Sequence, residues 1–432
     1  MYIGLISLGC AKNQVDSEEI LSFFKRNGHE IVSDLSLANM IIINSCGFLK
    51  EAKKEVYDVI DAVHEDFNVP IIVTGCLATR IGEQIKKDKP CVSLVVPIHD
   101  YPNFAYKMNE FLSCNDFTES MSNIKRIYST ENYQAYLKIS DGCNNRCTYC
   151  TIPLIRGSFH SIPLKTLEME LEEIASNNVK ELIIISQDTT RYGTDHPELN
   201  ENICTLLKKV LEYKQFEFIK LLYLYPDEIT DELIQLFKEN PRLTPYFDVP
   251  IQHSSDKILK AMHRRGSRQY LLDLFKKIKE EVPNAILRTT IMCGFPGETE
   301  EDIDDLIDFM NQVKFDHLGV FTYSREKGTP SYSFDDQVPA KIKSERYNRI
   351  MKEQIRISYK KNYAHIGETM RAIITGYDDK MLAYMGTSYI FAPDDIDGYM
   401  YIYSDEALEK GDIIDVKVID ANIYDLICEK IH

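Results

Sequence analysis

The sequence lacks any apolar run of about 18 residues or more, the length that a membrane-spanning helix requires. Its first residues, MYIGLISLGCAKNQ, contain neither a basic segment nor a small-residue cleavage site, so they do not resemble a secretory signal peptide. Low-complexity tracts and repeats of fixed period are also missing. These absences exclude a membrane span and a repeat array, and they predict a cytoplasmic globular protein.

A disulfide framework is also disfavoured. The chain has 432 residues and 11 cysteines, an odd number, and the cytoplasm keeps thiols reduced. Metal ligation or simple burial therefore explains the cysteines better. Hydrophobic residues at 44% and charged residues at 27% are typical of soluble globular proteins, and the length favours two or three domains.

Basic residues are scarcer than acidic ones, with 50 Lys and Arg against 67 Asp and Glu and a formal net charge of −17. Residues 363–432 alone hold 14 acidic and 5 basic residues, a net charge of −9. Because acidic surfaces repel phosphate backbones, this segment is a poor binder of nucleic acid and could dock a basic partner. The alternative is that the acidic residues merely maintain solubility.

The first third of the chain alternates short apolar runs with helix-like stretches. The apolar runs predict buried parallel strands at Tyr2–Leu8, Met40–Asn44 and Ile71–Thr74. Helices are predicted over 14–27, 49–65 and 78–88. This series predicts an N-terminal open parallel βα sheet domain over 1–116. The polar stretch 113–134 has no sustained period and predicts a linker.

The middle of the chain contains six strand candidates separated by helical segments. The strands are predicted at Tyr136–Ile139, Glu181–Ser186, Phe218–Leu224, Tyr246–Val249, Ile286–Met292 and Leu318–Tyr323. The helices are predicted over 165–177, 230–239, 267–281 and 299–313. Six consecutive βα units, fewer than the eight of a complete barrel, predict a partial (βα)6 barrel over 129–361.

The last part of the chain follows a long charged helix predicted over 340–362. Runs rich in β-formers are divided there by Gly and Asp turns, at Met370–Thr375, Tyr399–Tyr403, Ile413–Ile419 and Tyr424–Glu429. This pattern predicts a small antiparallel β-barrel over 362–432. The fold class is therefore α/β, with a parallel sheet domain, a partial barrel and a small β-barrel in that order.

Three cysteines, Cys143, Cys147 and Cys150, lie within eight residues, directly after the first strand of the predicted barrel. Thiolates ligate iron–sulfur clusters and zinc. A structural zinc site needs four closed ligands, and the nearest candidate, His160, is ten residues beyond Cys150. Three thiolates on a four-iron cluster leave one iron open to a chelating molecule. Because βα barrels act at the carboxyl ends of their strands, we predict a catalytic cluster here, with structural zinc or buried thiols as the alternative.

A second set, Cys10, Cys46 and Cys76, occupies equivalent positions just past the three N-terminal strands. Parallel strands place their carboxyl ends along one edge of a sheet, so these thiols could converge. Adjacent glycines permit the sharp turns that this requires. A free cysteine is often only a small buried hydrophobe, but the shared position predicts a second cluster. The other cysteines have no partner at ligand spacing and are predicted to be buried or idle: Cys91, Cys114, Cys204, Cys293 and Cys428.

The CxxxCxxC motif, with aromatic Tyr149 before its last cysteine, resembles the signature of the radical S-adenosylmethionine superfamily. With the second triad and the three-part organisation, essentially the whole chain resembles the methylthiotransferase family, including its N-terminal domain and its TRAM domain. The resemblance implies S-adenosylmethionine and two [4Fe-4S] clusters, an auxiliary one on Cys10, Cys46 and Cys76 and a radical one on Cys143, Cys147 and Cys150. It also implies that Tyr149 lies near the adenine.

Two glutamines lie at the expected reactive end of the barrel. Gln187 ends the second barrel strand and Gln252 follows the fourth. By position they could contact cofactor or substrate, and a structural hydrogen-bonding role is the alternative.

Four strings resemble the branch of the family known as RimO, which modifies a ribosomal protein. They are ISQDTTRYG at 185–193, YLYP at 223–226, VPIQHSSDKILKAMHRRG at 249–266 and LRTTIMCGFPGET at 287–299. This implies methylthiolation of the β-carbon of an aspartate in the twelfth small-subunit ribosomal protein, with an electron donor protein and a sulfur donor as further partners. The acidic C-terminal segment also favours a basic protein over RNA. The alternatives are a tRNA adenosine methylthiotransferase and a non-catalytic electron-transfer protein with two clusters.

Overall fold

The computed structural model describes residues 1–122 and 125–431. Residues 123 and 124 of the predicted linker, and residue 432 of the predicted C-terminal barrel, lie outside the described residues. Within the described ranges, no helix combines the length and the apolar character that a membrane crossing needs.

Five parallel strands form the N-terminal sheet, in the spatial order β2-β1-β3-β4-β5. They are β1 (Tyr2–Ser7), β2 (Glu30–Ile31), β3 (Met40–Ser45), β4 (Ile71–Thr74) and β5 (Val92–Pro97). The helices of this domain are α1 (Ala11–Arg26), α2 (Lys50–Asp66), α3 (Gly75–Asp88) and α4 (Phe104–Leu112). All residues of β3 and β4 are buried because an apolar cluster packs on each face of the sheet. The open parallel βα sheet is confirmed.

Six parallel strands form the partial barrel. The elements from β6 to α12 are β6 (Gln134–Lys138), β7 (Ser140–Asp141), α5 (Ile152–Arg156), β8 (His160–Ser161), α6 (Leu164–Ser176), β9 (Glu181–Ile185), α7 (Ile203–Val210), β10 (Phe218–Leu221), α8 (Asp231–Glu239), β11 (Tyr246–Asp248), α9 (Asp256–Ala261), α10 (Arg268–Glu281), β12 (Ile286–Cys293), α11 (Glu300–Val313), β13 (His317–Thr322) and α12 (Ala340–Ala364). The six barrel strands form two sheets, in the orders β6-β9-β10 and β11-β12-β13. A bridge between Ile219 and Leu243 joins the two sheets. In the described residues β6 does not pair with β13, so the barrel is open, as predicted.

A closed five-stranded barrel forms the C-terminal domain. Its strands are β14 (Thr369–Asp378), β15 (Ala383–Thr387), β16 (Met400–Tyr403), β17 (Ile413–Ala421) and β18 (Leu426–Lys430). The small barrel is confirmed, and four of its strand pairs are antiparallel. The closing pair, β16 with β18, is parallel. The predicted strands omitted β15.

The connection between β15 and β16 enters the partial barrel from the amino ends of its strands. Its segment Ile390–Ala392 is buried. The Tyr136 and Tyr246 hydroxyls donate hydrogen bonds to the carboxylates of Asp394 and Asp397. These tyrosines lie on the inner face, because their strand neighbours pack in the core under the helices. The C-terminal barrel therefore closes the lower end of the interior of the partial barrel.

Buried charges join the N-terminal domain to the partial barrel. Arg126 forms ion pairs with Glu18 of α1 and Glu170 of α6, at N–O distances of 2.8 and 2.7 Å. Burial raises the pKa of Glu170 to about 7, and it also raises the pKa of Glu18. The folded protein therefore holds protons that the unfolded chain releases above its ordinary glutamate pKa of 4.5. This contribution to stability is complete below that value and is lost as the pH rises through about 7.

We expect Glu170→Gln to weaken this pH dependence, because glutamine carries no charge to desolvate. Between about pH 5 and about pH 8, the fall in the free energy of unfolding should be smaller in the variant than in the wild type, by up to about 3 kcal/mol. Urea unfolding at about pH 5 and about pH 8 measures the difference. Glu172→Gln, at an exposed position of the same helix, is the control. Equal pH slopes for wild type and Glu170→Gln would contradict this expectation.

Candidate active site

The N-terminal cysteine triad lies at one edge of the parallel sheet. Strands β1, β3 and β4 are direct neighbours, so their carboxyl ends are adjacent. Cys10 is the N-cap of α1, Cys46 directly follows β3, and Cys76 is the second residue of α3. The topology therefore brings together three thiols that are far apart in sequence.

Two glycines allow the close approach within this triad. Gly9 has a φ of +103°, and a Cβ at this position would lie 3.1 Å from Cys46 Sγ. Gly75 has a φ of +88°, and its Cβ would lie 2.2 Å from Asn44 Oδ1 and 2.7 Å from the Ser45 carbonyl oxygen. A side chain at either position would force the neighbouring strand end away.

We expect Gly75→Ala to lower the free energy of unfolding by at least about 2 kcal/mol, since it combines backbone strain with a steric clash. Iron retained by the N-terminal triad should fall as well. Thermal unfolding and iron analysis measure the two effects. Gly28→Ala is the matched control, because Gly28 has a φ of +80° and open space around it, so it isolates the backbone term. Equal losses in the two variants would contradict a steric role for Gly75.

Asn13 connects the strand ends around the triad. Its Nδ2 donates to the carbonyl oxygens of Leu8 and Ser45, at 2.8 and 3.1 Å. Its Oδ1 accepts from Cys76 Sγ at 3.3 Å and from Arg156 Nη2 at 2.9 Å. One side chain thus holds the ends of β1 and β3 in register with Cys76.

The surroundings of the N-terminal triad favour a thiolate at one of its members. Burial alone would raise the pKa of the Cys10 thiol, but Lys12, the backbone N–H of Asn13 and Arg156 lower it. Burial raises the pKa of the Cys76 thiol to about 12, with Arg156 opposing the effect. Cationic neighbours are typical of cysteines that ligate metals as thiolates.

The second triad lies in the loop between β7 and α5. The Cys150 N–H donates to the Cys147 carbonyl oxygen at 3.0 Å. Burial, and next the neighbouring Cys147, raises the pKa of the Cys150 thiol to about 12. Arg264 Nη1 lies 3.9 Å from Cys147 Sγ. These contacts place the barrel cysteines in one neighbourhood with a guanidinium beside them.

The donor sets fit iron–sulfur clusters. In residues 1–122 and 125–431, no group of three or more His, Cys, Asp or Glu side chains is arranged to hold a single metal ion. The ligands of a cluster bind separate iron atoms, and three thiols in one neighbourhood are the donors that a cluster with one open iron needs.

The other predicted site residues lie around the barrel mouth. Tyr149 is packed against Phe295, edge to face, with ring centroids 6.4 Å apart. Gln187 Nε2 donates to Asp141 Oδ1 at 2.9 Å, while its buried Oε1 has no partner in the described residues. Gln252 has a φ of +71° and bridges to β12 through its backbone. A free acceptor at Gln187 fits a ligand with an N–H or O–H donor.

Arg156 joins the N-terminal triad to the strand that precedes the barrel triad. Its Nη2 lies 2.6 Å from Asp16 Oδ2 and 3.6 Å from Cys76 Sγ. Its Nη1 lies 2.9 Å from Asp141 Oδ2, and Asp141 precedes Cys143 by two residues. The sheet edge and the barrel mouth therefore face each other across one guanidinium. No local sequence pattern indicated Asn13 or Arg156, because their roles depend on contacts between domains.

Comparisons with known proteins match all three parts. Residues 137–310 match the family model of the radical SAM superfamily, residues 2–97 that of the uncharacterized protein family UPF0004, and residues 366–431 that of the TRAM domain. A relative named ribosomal protein uS12 methylthiotransferase RimO, from Pelobacter propionicus, is 42% identical over 99% of this chain and 97% of its own length. A relative of the same name from Acetivibrio thermocellus is 41% identical over 100% of this chain and 98% of its own length.

The chain belongs to the RimO family of methylthiotransferases. The resemblance found in the sequence is thereby confirmed. Among solved structures, the radical S-adenosylmethionine methyltransferase TsrM from Kitasatospora setae aligns with a TM-score of 0.57 at 10% identity, over 76% of this chain and 73% of its own. The radical enzyme OxsB aligns with a TM-score of 0.53 at 12% identity, over 82% of this chain and 56% of its own. At these identities the two structures show only that this RimO-family chain shares their fold.

Proposed function

We propose that this protein replaces a C–H bond at the β-carbon of an aspartate in ribosomal protein uS12 with a C–SCH3 group. The single observation that carries the proposal is that Arg156 contacts both Cys76 of the N-terminal triad and Asp141, two residues before the barrel triad, since this reaction needs a radical source and a sulfur site that serve one substrate atom. When bound, two [4Fe-4S] clusters and S-adenosylmethionine supply the radical, the sulfur site and the methyl group.

The roles of the site residues follow from their positions. Cys143, Cys147 and Cys150 hold the radical cluster, while Cys10, Cys46 and Cys76 hold the auxiliary cluster. Tyr149, Gln187 and Gln252 line the cofactor pocket. Behind Tyr149 the apolar side chains of Ile258, Met262, Phe295 and Tyr323 form a buried cluster that keeps water from this side of the pocket.

The proposed domain boundaries are 1–116, 129–361 and 362–432, and the proposed compartment is the cytoplasm. An electron donor protein and a sulfur donor complete the reaction. Neither a membrane nor a stably bound nucleic acid is among the partners that we propose.

The surface of the C-terminal barrel supports docking of a basic protein. Of the 14 acidic residues in 363–432, many are exposed, among them Asp379, Asp405, Glu409, Asp415, Asp420 and Glu429. A field of this sign attracts a cationic ribosomal protein and repels a phosphate backbone. The acidic surface therefore favours uS12 over tRNA as the substrate.

Incubation of the anaerobically reconstituted protein with uS12 or with tRNA tests the proposal. Mass spectrometry should find an added methylthio group on uS12, and modification of tRNA alone would overturn the proposal. Docking is tested by the triple variant Asp405→Lys, Asp415→Lys and Asp420→Lys, which should raise the Kd for uS12 and reduce its salt dependence. The control makes the same charge change on the N-terminal domain, at exposed Glu65, Glu83 and Glu110. Equal effects of the two variants would exclude a specific acidic docking surface.

A further inference from the structure

Lys12 is a buried cation without a carboxylate partner in the described residues. Lys12 is only 8% exposed. The other buried cations of the interface between the N-terminal domain and the partial barrel are each paired with acids: Arg126, Lys138 and Arg156. A buried charge is costly unless an opposite charge compensates it. Among the described residues Lys12 lacks such a carboxylate, and besides the nearby Cys10 thiol it retains a capacity for a further anion.

The ammonium group of Lys12 lies at the mouth of the partial barrel. Lys12 follows Cys10 by two residues, and its Nζ lies 3.4 Å from the carbonyl oxygen of Ser186, which directly follows β9. Nζ also lies 3.3 Å from the ring centroid of Tyr223, beyond the end of β10. Gln187, the next residue after Ser186, carries the unpartnered Oε1. The cation thus reaches from the auxiliary triad to the carboxyl ends of the barrel strands.

The partial barrel fixes the position of Tyr223, whose ring contacts the Lys12 ammonium. Tyr223 has a φ of +64°, an unfavourable conformation for a bulky residue. Its N–H donates to Asp248 Oδ2 at 3.0 Å, and Arg288 fixes the other oxygen of that carboxylate at 2.8 Å. A strained residue held by a buried ion pair is typical of a functional position. The tyrosine ring and the Ser186 carbonyl orient the ammonium without neutralising it.

We propose that Lys12 binds the side-chain carboxylate of the substrate aspartate and selects an acidic residue at the reaction site. This inference rests on the proposed function. The reacting β-carbon is bonded directly to the carboxyl carbon, so an ion pair at the carboxylate restricts the position of the reacting atom. A charge-assisted hydrogen bond in a water-poor site also discriminates strongly against an uncharged isostere.

Binding of uS12 to the holoenzyme, loaded with both clusters under anaerobic conditions, tests the role of Lys12. The two ligands are uS12 and its variant with asparagine at the modified aspartate, which keeps the shape and removes the charge. The wild-type holoenzyme should bind the aspartate form about tenfold more tightly. Lys12→Met should lose this preference by weakening the aspartate form alone, and Lys12→Arg should retain most of it. Lys25→Met, at an exposed position of the same helix, should behave like the wild type.

The outcomes separate this inference from the proposed function. If the wild type modifies uS12 but Lys12→Met still prefers the aspartate form, the inference is wrong and the function stands. If Lys12→Met loses iron or alters the cluster absorbance, and Lys12→Arg does not restore the preference, Lys12 serves the cluster and the inference is overturned. If the wild type does not modify uS12, the proposed function itself fails.

Discussion

Replacing Cys143, Cys147 and Cys150 together with alanine is expected to abolish formation of 5′-deoxyadenosine and to remove about half of the bound iron. Replacing Cys10, Cys46 and Cys76 together should remove a similar share of iron but leave S-adenosylmethionine cleavage in place. The reason is that each triad forms a separate site, and Tyr149 directly precedes Cys150 of the barrel triad. Iron analysis and chromatography of the nucleoside product measure the two effects.

The double variant Cys91→Ala and Cys114→Ala is the control, since both residues are only partly buried and far from either triad in sequence. It should retain full iron and full cleavage activity. Loss of all iron on removal of either triad would show that the six thiols form one site. Retention of 5′-deoxyadenosine formation after removal of the barrel triad would contradict the assignment of the radical cluster.

Replacing Arg156 with methionine is expected to lower the free energy of unfolding by about 3–5 kcal/mol, because it leaves buried carboxylates without their partner. The Arg156 side chain is only 2% exposed and pairs with both Asp16 and Asp141. Iron bound by the N-terminal triad should fall more than iron bound by the barrel triad, since the lost guanidinium contacts Cys76 and Asn13. Urea unfolding of Arg156→Met measures the loss of stability. Iron analysis of Arg156→Met combined with each triad replacement measures the iron that the remaining triad holds.

The acid sensitivity of the Arg156 variant should change as well. Burial alone would raise the pKa of Asp16, but Arg156 and Lys138 lower it to about 2. Asp16 therefore stabilises the fold above its ordinary pKa of 3.8, and this contribution is lost as the pH falls toward about 2. Without Arg156 the pKa of Asp16 should rise toward 3.8, so the variant should lose less stability through Asp16 than the wild type as the pH falls from 3.8 toward about 2. Arg349→Met, which removes exposed ion pairs with Glu300 and Asp304, should change stability by less than about 1 kcal/mol. Similar losses for the two variants would contradict a central role for Arg156.

The strand pattern of the sequence was sufficient for the buried strands and insufficient at the edges. Residues 40–43 and 71–73 are continuous apolar runs, and they lie in the fully buried centre of the N-terminal sheet. Strand β2 has two residues, too few to show any period. Strand β15, with the sequence AYMGT, contains a glycine and is half-buried, so its pattern did not stand out from a turn.

The convergence of Cys10, Cys46 and Cys76 could be expected because it follows from the parallel order of three strands. The roles of Lys12, Asn13 and Arg156 could not, because each contacts residues of another domain or strand that are distant in sequence. The same holds for the connection between β15 and β16, whose aspartates meet tyrosines more than a hundred residues away. Side chains that form contacts between domains do not change the hydrophobic periodicity of their own segments, so the sequence pattern does not indicate them.

The insertion of the connection between β15 and β16 into the partial barrel determines how the C-terminal domain can be studied. A chain cut after Ala364 would expose Tyr136, Ile183, Tyr246 and Ile286 to water, since Ile390 and Phe391 belong to the same apolar cluster. It would also remove Asp397, which contacts the Arg288 that positions Asp248 beneath Tyr223. Truncation would therefore damage the interior of the partial barrel as well as any docking of the ribosomal protein. Only exchanges of surface charge on an intact chain can separate the two.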